Sequence, residues 1–139
     1  MVRQLEYALA DFRLHLEYDP DNPREPLELL GEIREQVAVA PVPEFNRFLN
    51  GFAHIFGGGY AAGYYSYLWA EQLAADAWCR FREEGALARE PGDALRDEIL
   101  SVGGSRPAME SFIAFRGRQP DPRPLLASYG LELPEENEA

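Results

Sequence analysis

From Ala61 to Phe81 the chain reads AAGYYSYLWAEQLAADAWCRF, its longest run with a helical rhythm of apolar residues. These residues go nearly all the way round the cylinder, and such a helix has to be enclosed on several sides. Glu71, Gln72 and Asp76 within the run exclude a membrane span, because charge at mid-bilayer is costly and rare. No β-rich run, internal repeat or low-complexity linker accompanies it, so the fold class is all-α.

The flanking sequence adds shorter helices. Near the start, Leu5, Ala8, Leu9, Phe12 and Leu16 recur at helical spacing and predict one apolar stripe. The pattern begins within a residue or two of Met1 without a capping Ser, Thr, Asp or Asn, as a cut inside a longer helix or a frayed natural start would leave it. DPDNPREP, from Asp19 to Pro26, is a break, and Pro26 suits the first turn of a second helix carrying Leu27, Leu30, Ile33 and Val37. Pro41 and Pro43 end it. Glu44 to Phe56 is expected to be helical, with Phe45, Phe48, Leu49 and Phe52 on its apolar side, until the Gly57–Gly59 triplet breaks the pattern. Gly85 should stop the long helix. A further helix opens at Pro91, another follows Ser105 as cap, and PDPRPLLASYG gives a last turn or two. Residues 132–139 read as a loose tail.

Composition narrows the function classes. The chain has 139 residues, the size of one domain, and 46% of them are hydrophobic, too many for a disordered chain. Its net charge of -11, from 13 Lys and Arg against 24 Asp and Glu, argues against nucleic-acid binding, which needs a basic face. Such a balance suits cationic ligands such as basic peptides, and equally suits an acidic surface with no ligand at all. Cys79 is the only cysteine, so neither an internal disulfide nor a cysteine-based metal site can be built, which favours a reducing, cytoplasmic compartment. The opening segment is neither a signal peptide nor a membrane span.

Most catalytic chemistries find no residues here. Only His15 and His54 are present, and H-E-x-x-H does not occur. His15 and Asp19, four apart, could touch a metal together, but a solvated helix contact explains them as well. Cys79 lies in the apolar helix with no nearby histidine, which argues against a thiolate nucleophile. Gly58 and Gly63 have phosphate-loop spacing, yet Tyr64 and Tyr65 stand where Lys and Ser or Thr are needed, and no strand precedes them. What remains is a set of tyrosines. Tyr60, Tyr64 and Tyr67 fall at i, i+4 and i+7, so a helix starting near Tyr60 would point all three hydroxyls along one face. A phenol with a pKa near ~10 stays protonated at neutral pH and is a donor suited to a developing oxyanion. His54 across the glycine loop could add a donor, and the glycines give that loop freedom to close. The competing reading is an aromatic helix packed into a core with its hydroxyls satisfied.

The stretch FAHIFGGGYAAGYYSYLWAEQLAADAWCRF resembles the C-terminal part of the oligopeptidase A branch of the thimet-oligopeptidase family of zinc metallopeptidases. RQLEYALADFRLHLEYDP before it and ILSVGGSRPAMESFIAFRGRQPDPRPLLASYGL after it resemble the same family in the same order. The resemblance implies that residues 1–139 are a C-terminal fragment of a zincin-type catalytic domain, an irregular helical bundle whose intact form cleaves short peptides. The family's zinc is held by an H-E-x-x-H helix and a distant glutamate, all upstream of the region resembled, so no metal ligand is expected in this chain. By the same resemblance, His54 and Tyr67 would hydrogen-bond the substrate or the transition-state oxyanion, and Tyr60, Tyr64, Gly58 and Gly59 would line the substrate. Gly57 stands where this branch more often has alanine. The expected partners are a short peptide, the missing N-terminal part of the peptidase and, where apolar surface is bare, another copy of the chain. The isolated chain should be inactive. A stand-alone, non-catalytic helical module that binds peptides or a partner protein is the alternative.

Overall fold

In the computed structural model, which describes residues 1–131, all regular structure among the described residues is helical. The all-α expectation holds. The tail expected at 132–139 lies outside the described residues. The chain divides into two compact units, Met1–Leu68 and the part from Trp69 onward.

The first unit is built on α1 (Val2–Leu16) and α2 (Pro26–Val37), with Pro26 in the first turn as expected. Between them the Asp19 carboxylate accepts the Asp21 N–H at 2.9 Å, a local bond that favours a turn over continued helix. Leu29, Leu30 and Ile33 of α2 meet Ala8 and Ala10 of α1, with Tyr7 and Leu14 packed against the same cluster. The stripe predicted for α1 is therefore rotated. Leu9, Phe12 and Leu16 are exposed, whereas Glu6 and Asp11 are buried. The acids can face inward because they have partners: the Arg34 guanidinium donates to Glu6 Oε1 at 2.8 Å, and Asp11 is bonded as described below.

Glu44–Phe56 is not the helix its spacing predicted. It holds a 3₁₀ turn, Phe48–Gly51, and a single α turn, α3 (Ala53–Phe56). The Asn46 side chain accepts both the Phe48 N–H and an Arg34 N–H at 3.1 Å, a local bond that competes with helix formation. Leu49, Phe52 and Ile55 still reach the core.

The long helix, α4 (Ser66–Glu84), begins five residues later than predicted, because Ala61–Tyr65 form a turn. Gly85, at φ 110°, stops it as expected. It is not enclosed by this chain. Asp76 is its one buried residue, Trp69 and Trp78 are more than half exposed, and Cys79 is half-buried.

In the second unit α5 (Arg89–Leu95), with Pro91 third rather than first, runs into a wide π turn, Arg96–Leu100, closed by the Ser101 N–H on the Arg96 carbonyl at 2.8 Å. A 3₁₀ turn, Gly103–Ser105, leads to α6 (Ala108–Arg116) and α7 (Arg123–Ser128). Ser105 does not cap α6. Its hydroxyl donates to the Val102 carbonyl at 2.8 Å, and Pro107 holds the cap position. Pro91, Ser111, Phe112, Phe115 and Leu125 are buried. Among the described residues no helix is long and apolar enough to cross a membrane.

Candidate functional site

The aromatic cluster of the first unit forms where α3, the glycine loop and the start of α4 converge. Phe52 and Ile55, three apart, face the core and turn His54 outward. The loop then folds back on α3: the N–H groups of Gly57 and Gly58 both donate to the Ala53 carbonyl at 2.8 Å, and the Tyr60 N–H donates to the His54 carbonyl at 3.0 Å. Two glycines have distinct reasons to be there. A β-carbon on Gly58 would lie 2.9 Å from the His54 backbone, and Gly59 sits at φ 80°. Gly57 has ordinary room, with its nearest neighbour at 3.9 Å.

The predicted tyrosine ladder on one helix does not exist, since Tyr60 and Tyr64 precede α4 and only Tyr67 lies on it. The rings meet nonetheless. Tyr67 lies 5.0 Å from both Tyr60 and Tyr64 between ring centroids, and His54 lies 5.6 Å from Tyr64 and 6.1 Å from Tyr60 and Tyr67. What brings them together is the turn at Ala62, whose φ of 53° is left-handed, a conformation that costs a non-glycine residue about 1–3 kcal/mol. The N–H groups of Ala62 and Tyr64 donate to the two carboxylate oxygens of Asp11, each at 2.8 Å.

Exposure divides the set. Tyr64 is 8% exposed and belongs to the core, whereas Tyr60 and Tyr67 are 37% and 41% exposed and His54 is open to solvent. Tyr64 is thus packed as a core aromatic, whereas Tyr60, Tyr67 and His54 lie at the exposed rim. A hydrogen bond with Tyr60 pushes the Tyr67 phenol above its ordinary value, with burial adding to it, so its protonated form is favoured. Burial and the neighbouring Tyr7 likewise push Tyr64 up, against a hydrogen bond from Gln4 that lowers it.

The remaining sequence candidates do not assemble. His15 Nδ1 lies 2.8 Å from the Asp11 carbonyl and 3.1 Å from its Oδ1, and turns to Asp11 rather than Asp19. Among the described residues no group of three or more His, Cys, Asp or Glu is placed to hold a metal ion.

A profile of Peptidase family M3 matches residues 1–131. The chain belongs to that family. Against individual M3 relatives it is 54% identical over 132 residues to oligopeptidase A of Salmonella typhimurium, covering 95% of this chain and 19% of the relative. It is 43% identical over 139 residues to the probable cytosolic oligopeptidase A of Arabidopsis thaliana, covering 94% and 19%. With the dipeptidyl carboxypeptidase of Escherichia coli the identity is 39% over 135 residues, covering 96% and 20%. The M3 chain thus spans about a fifth of the length of the curated relatives it matches.

The loop geometry gives a paired expectation for this M3 segment. Gly57→Ala should be neutral or stabilise by up to about 1 kcal/mol, because it restricts the unfolded chain and its β-carbon meets only an ordinary van der Waals contact with the Ala53 carbonyl. Gly58→Ala should cost about 1–3 kcal/mol, because backbone atoms cannot yield as a flexible side chain can. Urea midpoints followed by far-UV circular dichroism check both; equal effects would contradict the loop geometry.

Sequence reasoning missed Asp11, Gln4 and Tyr7 as neighbours of the site. The only signal was an acid between Ala10 and Phe12 in an otherwise apolar stretch.

Proposed function

We propose that this chain is the C-terminal substrate-binding and transition-state-stabilising part of an oligopeptidase A-like peptidase that cleaves short peptides. The observation that carries the reading is the convergence of His54, Tyr60 and Tyr67 at an open rim, over the buried Tyr64, in a segment of the M3 family. In this role Tyr67 and His54 donate to the peptide carbonyl as it gains negative charge, while Tyr60 and the Gly58–Gly59 backbone line the peptide. The buried Tyr64 supports the rings from the core side rather than facing the substrate. Zinc and the general base belong to the remaining part of the enzyme, and no step of the chemistry is assigned to a metal on this chain. Apolar residues left exposed in each unit, Leu9, Phe12 and Leu16 in the first and Trp69 and Trp78 in the second, support surfaces that the remaining part covers. The cytoplasm is the proposed compartment, supported by the single thiol and the relative named cytosolic.

The chain alone is expected to bind short peptides weakly and to hydrolyse none. Adding a short peptide should move the NMR resonances of His54, Tyr60 and Tyr67 before those of the second unit. A quenched fluorescent peptide with added zinc should stay intact. Zinc-dependent cleavage by the 139-residue chain, or peptide shifts scattered away from the cluster, would overturn the reading.

A further inference from the structure

Asp11 is fully buried, and both its oxygens are used on one short segment 51–53 residues away: Oδ1 on the Ala62 N–H and Oδ2 on the Tyr64 N–H, each at 2.8 Å. His15 closes the near side at 3.1 Å. The segment so held contains Ala62, the one described non-glycine residue with positive φ. A left-handed alanine relaxes unless its surroundings hold it there, and two charge-assisted hydrogen bonds on alternate amides do so.

The same face of α1 grips Tyr64 elsewhere. Gln4, Tyr7 and Asp11 follow at i, i+3 and i+7, one side of a helix. Gln4 hydrogen-bonds the Tyr64 side chain, the Tyr7 ring meets the Tyr64 ring edge-on at 6.0 Å, and Asp11 holds the Tyr64 backbone. Hydroxyl, ring and amide are thus each fixed by one residue of α1. Tyr67, which follows in the first turn of α4, packs on Tyr64 at 5.0 Å and on Tyr60 at 5.0 Å.

We propose that Asp11 is the positioning residue of this site: its carboxylate holds the Ala62–Tyr64 turn in the left-handed bend that gathers Tyr60, Tyr64 and Tyr67 around His54. The functional meaning of the clamp rests on the peptidase reading above, but its existence does not. A chain that ignores peptides yet keeps the clamp would sink that reading alone.

Asp11→Asn is the direct test, because it keeps the volume and puts an amide donor against a backbone donor. In the full chain the Ala62 and Tyr64 amide protons should move upfield, and the ring contacts of Tyr67 with Tyr60 and Tyr64 should disappear from nuclear Overhauser spectra. The stacked Tyr7–Phe48 pair, at 4.1 Å in the same core, should persist. Glu6→Gln removes the other buried acid of α1 and should lower stability without moving the tyrosine contacts. Ala62→Gly added to Asp11→Asn should restore part of the ring contacts, because glycine adopts the bend without strain. Retained ring contacts in Asp11→Asn, or their equal loss in Glu6→Gln, would overturn the proposal. Should Asp11→Asn not fold, hydrogen exchange of the unsubstituted chain decides it. The Ala62 and Tyr64 amides should exchange roughly tenfold or more slower than that of exposed Ala61, and fast exchange of both amides would equally overturn it.

Discussion

Asp76→Ala is expected to destabilise the second unit by about 3–5 kcal/mol, a large part of the total stability of a small unit. Asp76 is fully buried and accepts from the Arg118 guanidinium at 2.5 and 2.7 Å, from Arg116 at 3.1 Å and from the Asp121 N–H at 2.8 Å. Removing it leaves Arg116, whose side chain is only 9% exposed, with the solvent-facing Glu83 as its remaining carboxylate. It also leaves the Asp121 amide without its acceptor. The cost is that of stranded groups, so Asp76→Asn should recover only part of it. Both tryptophans, Trp69 and Trp78, lie in α4, so urea denaturation followed by tryptophan fluorescence reports on this unit. A loss below about 1 kcal/mol would mean that the cluster is not satisfied as described. Acid should act the same way. Burial pushes the Asp76 carboxyl up, but Arg118, the Asp121 N–H and Arg116 together outweigh it and hold the group below the ordinary carboxylate range. Its contribution is therefore complete above the unfolded-chain value near ~4 and is lost as pH falls through the lower folded-state value. The fluorescence midpoint of the unsubstituted chain should fall in that acid window, and that of Asp76→Asn should fall less.

Tyr67→Phe is expected to lower peptide turnover about 10²–10³-fold when the remaining part of an oligopeptidase A relative is supplied as a second polypeptide. The substitution deletes one hydroxyl and keeps the ring that packs between Tyr60 and Tyr64. On the proposed reading that hydroxyl acts on the carbonyl only as negative charge develops, so kcat should carry the loss and KM should change little. Tyr60→Phe should act more on KM, since on the same proposed reading Tyr60 lines the peptide. The unsubstituted assembly is the reference, and a fall of less than about threefold in Tyr67→Phe would remove Tyr67 from the role. The Tyr67 phenol stands above its ordinary value, so it should remain a donor up to at least about pH 10.

How far these features could be read from sequence depends on where their partners lie. α2 and its proline, the stop at Gly85 and the helical class follow from residues within one or two turns of each other, and they are present as expected. The face of α1 was misjudged because Leu9, Phe12 and Leu16 are the more apolar set, while the true core face includes Glu6 and Asp11, whose partners are 28 and 51–53 residues away. The tyrosines were rightly grouped for a wrong reason: helical spacing was assumed from Tyr60 onward, and the actual convergence depends on a left-handed alanine that no periodicity announces. Asp76 read as a polar interruption of an apolar helix, because Arg116 and Arg118 lie 40 and 42 residues further on.

The two fully buried carboxylates, Asp11 and Asp76, also bear on the order in which the chain assembles. Each joins positions far apart in sequence, 51–53 residues for Asp11 and 40–45 for Asp76. By loop-closure entropy those two searches differ by only about 0.2 kcal/mol, so neither half gains a head start from chain length. Helical turns can form in microseconds or less, whereas each aspartate reaches its partners only once a segment some 40–53 residues away has come back to it.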